Sequence, residues 1–193
     1  MPRILLTLLA AALLSLSLVS PSVAQTPDPD SIHVASIAYE GSGCPQGSVG
    51  QSFSGDRESF TLIFDQFVVS AGPMVPSTAA KKDCELTLLL NIPSTFHGGE
   101  INFEYRGYSQ LSAGQTATQK RKYSSSKTNA NTAFVGSVAR DYLHTDPVAF
   151  TKVKSCDGTP CVVAKIKLAV QKSDTGNQQV SIDSIDGEVT VSN

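Results

Sequence analysis

The sequence predicts an all-β protein, an antiparallel β-sandwich of jelly-roll or immunoglobulin-like type stapled by disulfides. Three observations support this fold class. Apolar and polar residues alternate with the two-residue period of half-buried strands over much of the chain. Gly, Pro, Ser and Asp bound these segments, and none of them has the period of an amphipathic helix. About nine strands without helices to cover a parallel sheet favour two packed antiparallel sheets.

The first residues have the composition of an export signal. Arg3 precedes an apolar run, Ile4–Val19, and residues 22–24 (Ser-Val-Ala) supply the small side chains at which a signal peptidase cuts. The alternative, an uncleaved membrane anchor, needs a span of roughly 20 apolar residues, which this run does not reach. We therefore expect residues 1–24 to be a signal peptide and the protein to be secreted and extracellular, or periplasmic or on the cell surface if a Gram-negative bacterium makes it.

The remaining chain predicts one domain behind a short tail. Residues 25–31 (Gln-Thr-Pro-Asp-Pro-Asp-Ser) have the composition of a flexible tail, and residues 32–193 are enough to close a single core. No stretch after the leader is long and apolar enough to cross a membrane. The formal net charge of −2 is too small to favour a nucleic acid partner.

The predicted strands differ in how clearly they alternate. The clearest is Cys84–Ile92, in which Leu86, Leu88 and Leu90 share one face while polar residues occupy the other. In chain order, the nine predicted strands are Ile32–Tyr39, Phe60–Asp65, Cys84–Ile92, Ile101–Arg106, Gln115–Tyr123, Thr132–Tyr142, Val148–Ser155, Cys161–Gln171 and Gln179–Val191.

The four cysteines predict two disulfides. All of them lie in the part expected to be exported, and an oxidising compartment favours their pairing. Residues 157–160 (Asp-Gly-Thr-Pro) form a turn sequence, so we expect Cys156 to pair with Cys161, which leaves Cys44 to pair with Cys84. Four thiols could instead hold zinc, but they lack close CxxC pairs and a nearby histidine. We therefore expect no metal and no cofactor.

A hairpin closed by the short disulfide predicts a basic face. If Cys156 lies opposite Cys161, then Lys152 lies opposite Lys165, and four lysines share the outer face. These lysines are Lys152, Lys154, Lys165 and Lys167, and the expected core-facing residues are Val153, Ala164, Ile166 and Leu168. Such a face could bind acidic polysaccharide, a phosphate-bearing polymer or lipid headgroups. Alternatively, it is a solvated sheet edge whose charge prevents other strands from adding to it.

A second candidate surface combines tyrosines with basic residues. Exposed tyrosines offer flat faces to sugar rings, and arginine supplies hydrogen bonds. The candidate residues for carbohydrate contact are Tyr105, Arg106, Tyr108, Lys120, Arg121 and Lys122. The alternative is that these tyrosines pack into the sandwich with their hydroxyl groups at its rim.

We assign no catalytic residue. The chain has no nucleophile elbow, zinc-protease motif, phosphate-binding loop or dinucleotide-binding glycine pattern, and His33, His97 and His144 are scattered. Glycoside hydrolysis requires two carboxylates at a defined separation, which the sequence cannot supply. Its candidates are Asp65, Glu85, Glu100 and Glu104, which otherwise solvate their strands.

An ordered set of motifs resembles a known family. The motifs are Glu40–Val49 (EGSGCPQGSV), Leu62–Phe67 (LIFDQF) followed by Gly72-Pro73, Lys81–Leu86 (KKDCEL) and Tyr105–Leu111 (YRGYSQL). Together they resemble a secreted family of fungi and bacteria catalogued as domain of unknown function 4360. The resemblance implies secretion, a β fold and a bridge between Cys44 and Cys84. It implies no mechanism.

These features favour a non-catalytic extracellular or cell-surface binding protein, with carbohydrate or an anionic envelope polymer as the expected partner. A second class is a secreted protein-interaction factor, such as a hydrolase inhibitor or a toxin-like effector, that acts through loops at the ends of the sandwich. A third class is a carboxylate-dependent hydrolase, which would need two carboxylates converging in a cleft, at least one of them with a perturbed pKa.

Overall fold

A computed structural model describes residue 28 and residues 31–93, 96, 98–126, 129–151, 154–170 and 176–191. The predicted signal peptide, most of the predicted tail, His97, Lys152 and Val153 lie outside the described residues, as does the side chain of Lys154. Within the described ranges, no helix has the length and apolar character that crossing a membrane requires.

The described residues form thirteen β-strands and one short 3₁₀ helix, Ser77–Ala80. The strands are β1 (His33–Glu40), β2 (Val49–Phe53), β3 (Ser59–Phe64), β4 (Val68–Ala71), β5 (Lys81–Asn91), β6 (Gly99–Leu111), β7 (Thr116–Tyr123), β8 (Asn129–Val135), β9 (Val138–Phe150), β10 (Lys154–Cys156), β11 (Thr159–Val170), β12 (Gln178–Ser181) and β13 (Ser184–Val191).

These strands form two antiparallel sheets that pack as a sandwich, which confirms the predicted fold class. Sheet 1 has the order β1-β5-β11-β7-β8, with β10 paired to the start of β11. In sheet 2 the order begins β2-β3-β13-β6. Strand β6 pairs with β9 along its whole length, and its other side pairs first with β13 and then with β12, which continues to β4. Both sheets therefore have a buried inner face and an exposed outer face.

The core comes from the predicted alternation. Leu86, Leu88 and Leu90 of β5 are at most 1% exposed. The inward residues of β3 and β6 are buried in the same way and include Phe60, Leu62, Phe64, Ile101, Phe103 and Tyr105. Burying one such side chain contributes about 1.5–3 kcal/mol. The hydrophobic pattern therefore fixes which residues of each strand remain on the outer faces.

Several predicted strand boundaries are wrong. Thr132–Tyr142 is interrupted by a bend at Gly136-Ser137 that separates β8 from β9. Val148 does not begin a strand, because β9 runs through Pro147. Proline is tolerated there because, among the described strands, β9 pairs with β6 alone, and the missing N–H of Pro147 faces no other strand of this set. Residues 182–183 divide the last predicted strand, and β2 and β4 are too short for their alternation to predict them.

Both disulfides pair as predicted, but the register of the short hairpin differs from the predicted one. The Cys156–Cys161 bridge spans a two-residue turn, Asp157-Gly158, whose φ angles of 50° and 86° are typical of a type I′ hairpin. Cys156 therefore lies opposite Thr159 rather than Cys161. The predicted opposition of Lys152 and Lys165 is also wrong, because β5 and β7 flank Lys165 on its two sides. The two-residue shift keeps the alternation, so Ala164, Ile166 and Leu168 face the core as predicted.

The Cys44–Cys84 bridge ties the loop after β1 to β5. Both cysteines are at most 1% exposed. In the chain-entropy model, a bridge between residues 40 positions apart stabilises the folded state by about 4 kcal/mol. Two glycines let the loop lie this close. A Cβ at Gly41 would meet the carbonyl oxygen of Asp83 at 2.4 Å, and one at Gly43 would meet the Phe67 ring at 2.4 Å. The Glu40–Val49 motif thus has a structural explanation.

A buried polar cluster connects the two sheets. Arg121 of β7 donates two hydrogen bonds to Asp146 of β9, at 2.6 and 3.1 Å. The hydroxyl of Tyr123 donates to the same carboxylate at 2.6 Å and accepts from Tyr105 of β6 at 2.8 Å. Arg121 also donates to Thr132 of β8 at 3.1 Å. We call the first four residues the inter-sheet tie, since two come from each sheet.

The tie satisfies charges that burial would otherwise penalise. Burial alone lowers the pKa of Arg121, but the hydrogen bonds and charge of Asp146 outweigh it and the net direction is upward. Burial raises the pKa of both tyrosine hydroxyls, so they remain neutral donors. A buried pair of this kind loses much of its benefit when one partner is removed.

Replacing Asp146 by alanine should destabilise the fold strongly. The guanidinium of Arg121 would stay buried without its carboxylate, so we expect the free energy of unfolding to fall by about 3–5 kcal/mol. Equilibrium unfolding in guanidinium chloride measures this loss. Asp141→Ala removes an exposed carboxylate from the same strand and should change stability by no more than about 0.5 kcal/mol. Equal losses in the two variants would contradict a structural role for the tie.

His144 should make the fold sensitive to mild acid. Its ring stacks on Tyr142 at 5.0 Å, and burial, followed by the nearby Arg121 charge, lowers its pKa, while Asp146 opposes this. The unfolded chain then binds a proton below about pH 6.5 more readily than the folded chain does. Stability is therefore lost as the pH falls below that value. His144→Phe should lose less stability than the wild type between about pH 6.5 and pH 5, as urea titrations at each pH would measure. Parallel curves would exclude this role of His144.

Candidate functional site

The structure separates the residues predicted for carbohydrate contact. Tyr105 is fully buried and Arg121 is 3% exposed, so both belong to the inter-sheet tie and their predicted surface role is wrong. Their strand neighbours point the other way. Arg106 and Tyr108 lie on the outer face of sheet 2, and Lys120 and Lys122 lie on the outer face of sheet 1.

The outer face of sheet 2 carries a groove of about 540 Å³ that crosses β2, β3, β13 and β6. The residues that line it are mostly polar, with two phenylalanines, Phe53 of β2 and Phe60 of β3, that also pack in or against the core. The lining residues include Ser52, Phe53, Thr61, Asn102, Glu104, Asp186 and Glu188. Phe53 is held in place by the guanidinium of Arg57, which lies 4.1 Å from the ring centroid. The groove is therefore a mostly polar surface that runs roughly perpendicular to the strands.

Register explains why these residues meet. Glu104, Asp186 and Thr61 are directly opposite one another on β6, β13 and β3, and Ser52 of β2 continues the row. Asn102 and Glu188 lie opposite each other in the next row. Side chains directly opposite on one face have Cβ atoms about 4.5–5.5 Å apart. Two neighbouring rows of hydrogen-bonding groups thus face the solvent.

Arg106 fixes the orientation of the two central carboxylates. Its Nη2 lies 2.6 Å from Glu104 Oε2, and its Nε lies 3.4 Å from Asp186 Oδ2. The hydroxyl of Thr61 donates to Asp186 Oδ1 at 2.6 Å. The hydrogen bond that Arg106 donates to Glu104 raises the pKa of Arg106, with a further contribution from the charge of Asp186. The carboxylates are therefore held in place before any ligand arrives.

The predicted carboxylate candidates divide among different locations. Glu104 is in the groove, whereas Glu85 pairs with Lys165 on sheet 1 at 2.7 Å, and Asp65 follows β3 in an exposed bend. Glu100 shares the outer face with Glu104 but lies beyond the groove lining. Asp186 and Glu188 escaped prediction, although their alternation with Gly187 in an expected strand placed them on one face. Among the described side chains, no three His, Cys, Asp or Glu gather closely enough to hold a metal ion.

The outer face of sheet 1 brings together lysines that the sequence assigned to two separate surfaces. Lys165 lies opposite Lys122, and Lys167 lies opposite Lys120. All four are exposed. We call them the lysine rectangle. The sequence also predicts Lys152 and Lys154 on this face, and their side chains lie outside the described part of the structure.

Comparisons with known proteins identify relatives of this chain. The family described as Domain of unknown function (DUF4360) matches residues 30–193. An uncharacterized secreted protein of Arthroderma benhamiae (strain ATCC MYA-4681 / CBS 112371) is 38% identical over 121 residues, which is 61% of this chain and 49% of the relative. The chain thus spans about half the length of that curated relative.

Two solved structures have a distant likeness. TmCBM61 in complex with beta-1,4-galactotriose has 8% identity and a TM-score of 0.32, covering 83% of this chain and 91% of that chain. The enzymatically active domain of bacteriophage CBA120 tailspike protein 4 has 12% identity and a TM-score of 0.27, covering 90% of this chain and 21% of that chain. Likenesses at these TM-scores carry no argument about function.

Secretion follows from the secreted relative and from two disulfides, which fit an oxidising extracellular environment. The family match extends over both sheets and includes the motifs that surround Cys44 and Cys84. The chain is therefore a secreted protein that belongs to the family described as Domain of unknown function (DUF4360).

Proposed function

We propose that this protein binds a neutral carbohydrate in the groove on sheet 2. The observation that carries the proposal is the row of Thr61, Asp186 and Glu104, oriented by Arg106 across three strands. Sugar hydroxyl groups donate hydrogen bonds to carboxylates, and such charge-assisted bonds are among the stronger ones. In ligand sites a small number of precisely placed polar groups fixes the orientation of the ligand.

The charge of the groove favours a neutral ligand. Three carboxylates line it, those of Glu104, Asp186 and Glu188, against two guanidinium groups at its border, those of Arg106 and Arg57. An acidic polymer would be repelled by this excess of negative charge. The hydroxyl groups of a neutral sugar can instead donate hydrogen bonds to carboxylates whose orientation is already fixed. The carboxylate side chains then lose less conformational freedom when the sugar binds.

The same geometry favours binding over hydrolysis. Retaining and inverting glycosidases both need two carboxyl groups that flank the scissile bond. Arg106 contacts both Glu104 and Asp186, at 2.6 and 3.4 Å, so these two carboxylates are joined through its guanidinium rather than placed on either side of an open gap. The third class predicted from the sequence, a carboxylate-dependent hydrolase, therefore receives less support from this groove than a binding module does.

Glu104→Gln should weaken binding of neutral glycans. The variant loses a charge-assisted acceptor and its ion pair with Arg106, so we expect an affinity at least about tenfold lower, in line with 1.5–3 kcal/mol for such hydrogen bonds. The measurement is isothermal titration with soluble neutral polysaccharides, a panel of glucans, mannans, xylans and galactans. Sodium chloride at 0.5 M suppresses long-range charge effects in every titration.

Glu100→Gln is the matched control. It removes the same charge from the same face of β6 but from outside the groove lining, so binding should be unchanged. Equal loss in both variants would indicate a general charge effect and contradict the groove. Absence of binding by the wild type to every neutral glycan, together with capture of one secreted protein, would support the protein-interaction class instead.

A further inference from the structure

The lysine rectangle has a geometry that repulsion alone would disfavour. Lys165 and Lys122 are directly opposite across β11 and β7, and so are Lys167 and Lys120. Neighbouring strands lie about 4.8 Å apart, and residues on one face repeat about every 6.8 Å along a strand. Four ammonium groups therefore emerge from an area of about 5 by 7 Å. Like charges directly opposite each other on a sheet destabilise it.

Nearby carboxylates neutralise only part of this charge. Glu85 pairs with Lys165 at 2.7 Å, whereas Asp83, opposite Lys167, accepts a hydrogen bond from Ser42 at 2.6 Å. Within the described part of the chain, Lys165 is the only one of the four that forms an ion pair. The other three ammonium groups face solvent.

Protection of a sheet edge does not explain the rectangle. Lysines commonly lie on edge strands, where they prevent pairing with other molecules. Strand β11, however, pairs with both β5 and β7, and β7 pairs with both β11 and β8. The rectangle thus occupies the middle of sheet 1, where no edge needs protection.

The residues around the rectangle indicate the kind of anion. On β8, Asn129 lies opposite Lys122 and Asn131 lies opposite Lys120. Amide groups beside ammonium groups supply hydrogen bonds to both sugar hydroxyls and acidic groups. The outer positions of β7, β8 and β11 hold no aromatic side chain on which a nucleic acid base could stack. The one large exposed apolar side chain on these strands, Val135, lies opposite Thr116, away from the lysines, so these strands place no large apolar anchor for a lipid surface beside them.

We propose that the lysine rectangle, with Asn129 and Asn131, is a second binding site, and that its ligand is an acidic polysaccharide bearing uronate or sulfate groups. This site lies on sheet 1, whereas the groove lies on sheet 2. Its ligand is acidic, whereas the ligand proposed for the groove is neutral. The acidic groups of the polymer neutralise the cross-strand lysine pairs. The amides of β8 bind the neighbouring hydroxyls.

The test compares variants of the full secreted protein with polygalacturonate and with a matched pair of polymers, dextran sulfate and dextran. Wild-type protein should bind the two polyanions and release them as sodium chloride rises from 50 to 300 mM, whereas dextran, which has the same sugar without the charge, should show no salt-dependent binding. Replacing all four lysines of the rectangle by glutamine should weaken polyanion binding at least about tenfold, because it removes the positive charges that attract the polymer. Replacing them by arginine should preserve binding.

Two controls keep the outcome specific. Lys82→Gln with Arg140→Gln removes two positive charges outside the rectangle and should leave binding unchanged, whereas Lys120→Gln with Lys122→Gln should weaken it. The thermal midpoint of the fourfold glutamine variant should equal or exceed that of the wild type, because repulsion is removed.

Other outcomes would overturn the inference. Undiminished polyanion binding by the fourfold glutamine variant would exclude the rectangle as the site. Tighter binding to single-stranded DNA or to phosphatidylserine vesicles would assign the surface to another macromolecule. Neutral glycan binding in 0.5 M salt reports on the groove alone, so loss of either activity leaves the other measurable.

Discussion

The buried pair of Arg121 and Asp146, with the hydroxyls of Tyr105 and Tyr123, determines how this sandwich presents its surfaces. Arg121 can lie in the interior only where Asp146 and Thr132 receive its hydrogen bonds. Because neighbouring residues of a strand face opposite sides, this fixes Lys120 and Lys122 outward on β7. Tyr105 likewise fixes Glu104 and Arg106 outward on β6. A slip of one residue in either strand would bury charges that have no partner.

The outer faces of the two sheets consequently differ in sign. Sheet 1 presents the lysine rectangle, while sheet 2 presents carboxylates clamped by one arginine. A net charge of −2 conceals this separation, because the charges nearly cancel over the whole chain. Charge arguments for a sandwich are therefore better made for each face than for the sequence as a whole. This difference is why the two faces suit different classes of ligand.

The sequence predicted the fold more completely than the sites. Alternation and turn residues were enough for the core of β3, β5 and β6, for the sandwich and for both disulfide pairings. Alternation within a strand also placed Lys165 and Lys167 together. It could not show that β7 lies beside β11, nor that β13 lies between β3 and β6, because pairing between distant strands leaves no local signal. For the same reason Asp186 was missed, and Arg121 and Tyr105 were assigned to a surface although their partners lie in the core.

The position of β13 has a consequence for how the protein reaches its folded state. Sheet 2 places this strand between β3 and β6, although it follows both in the chain by a long interval. Until Ser184–Val191 is available, β3 and β6 lack the neighbour that joins them, and closing such long loops makes folding slow. An emerging chain therefore has a delay before its sandwich can close.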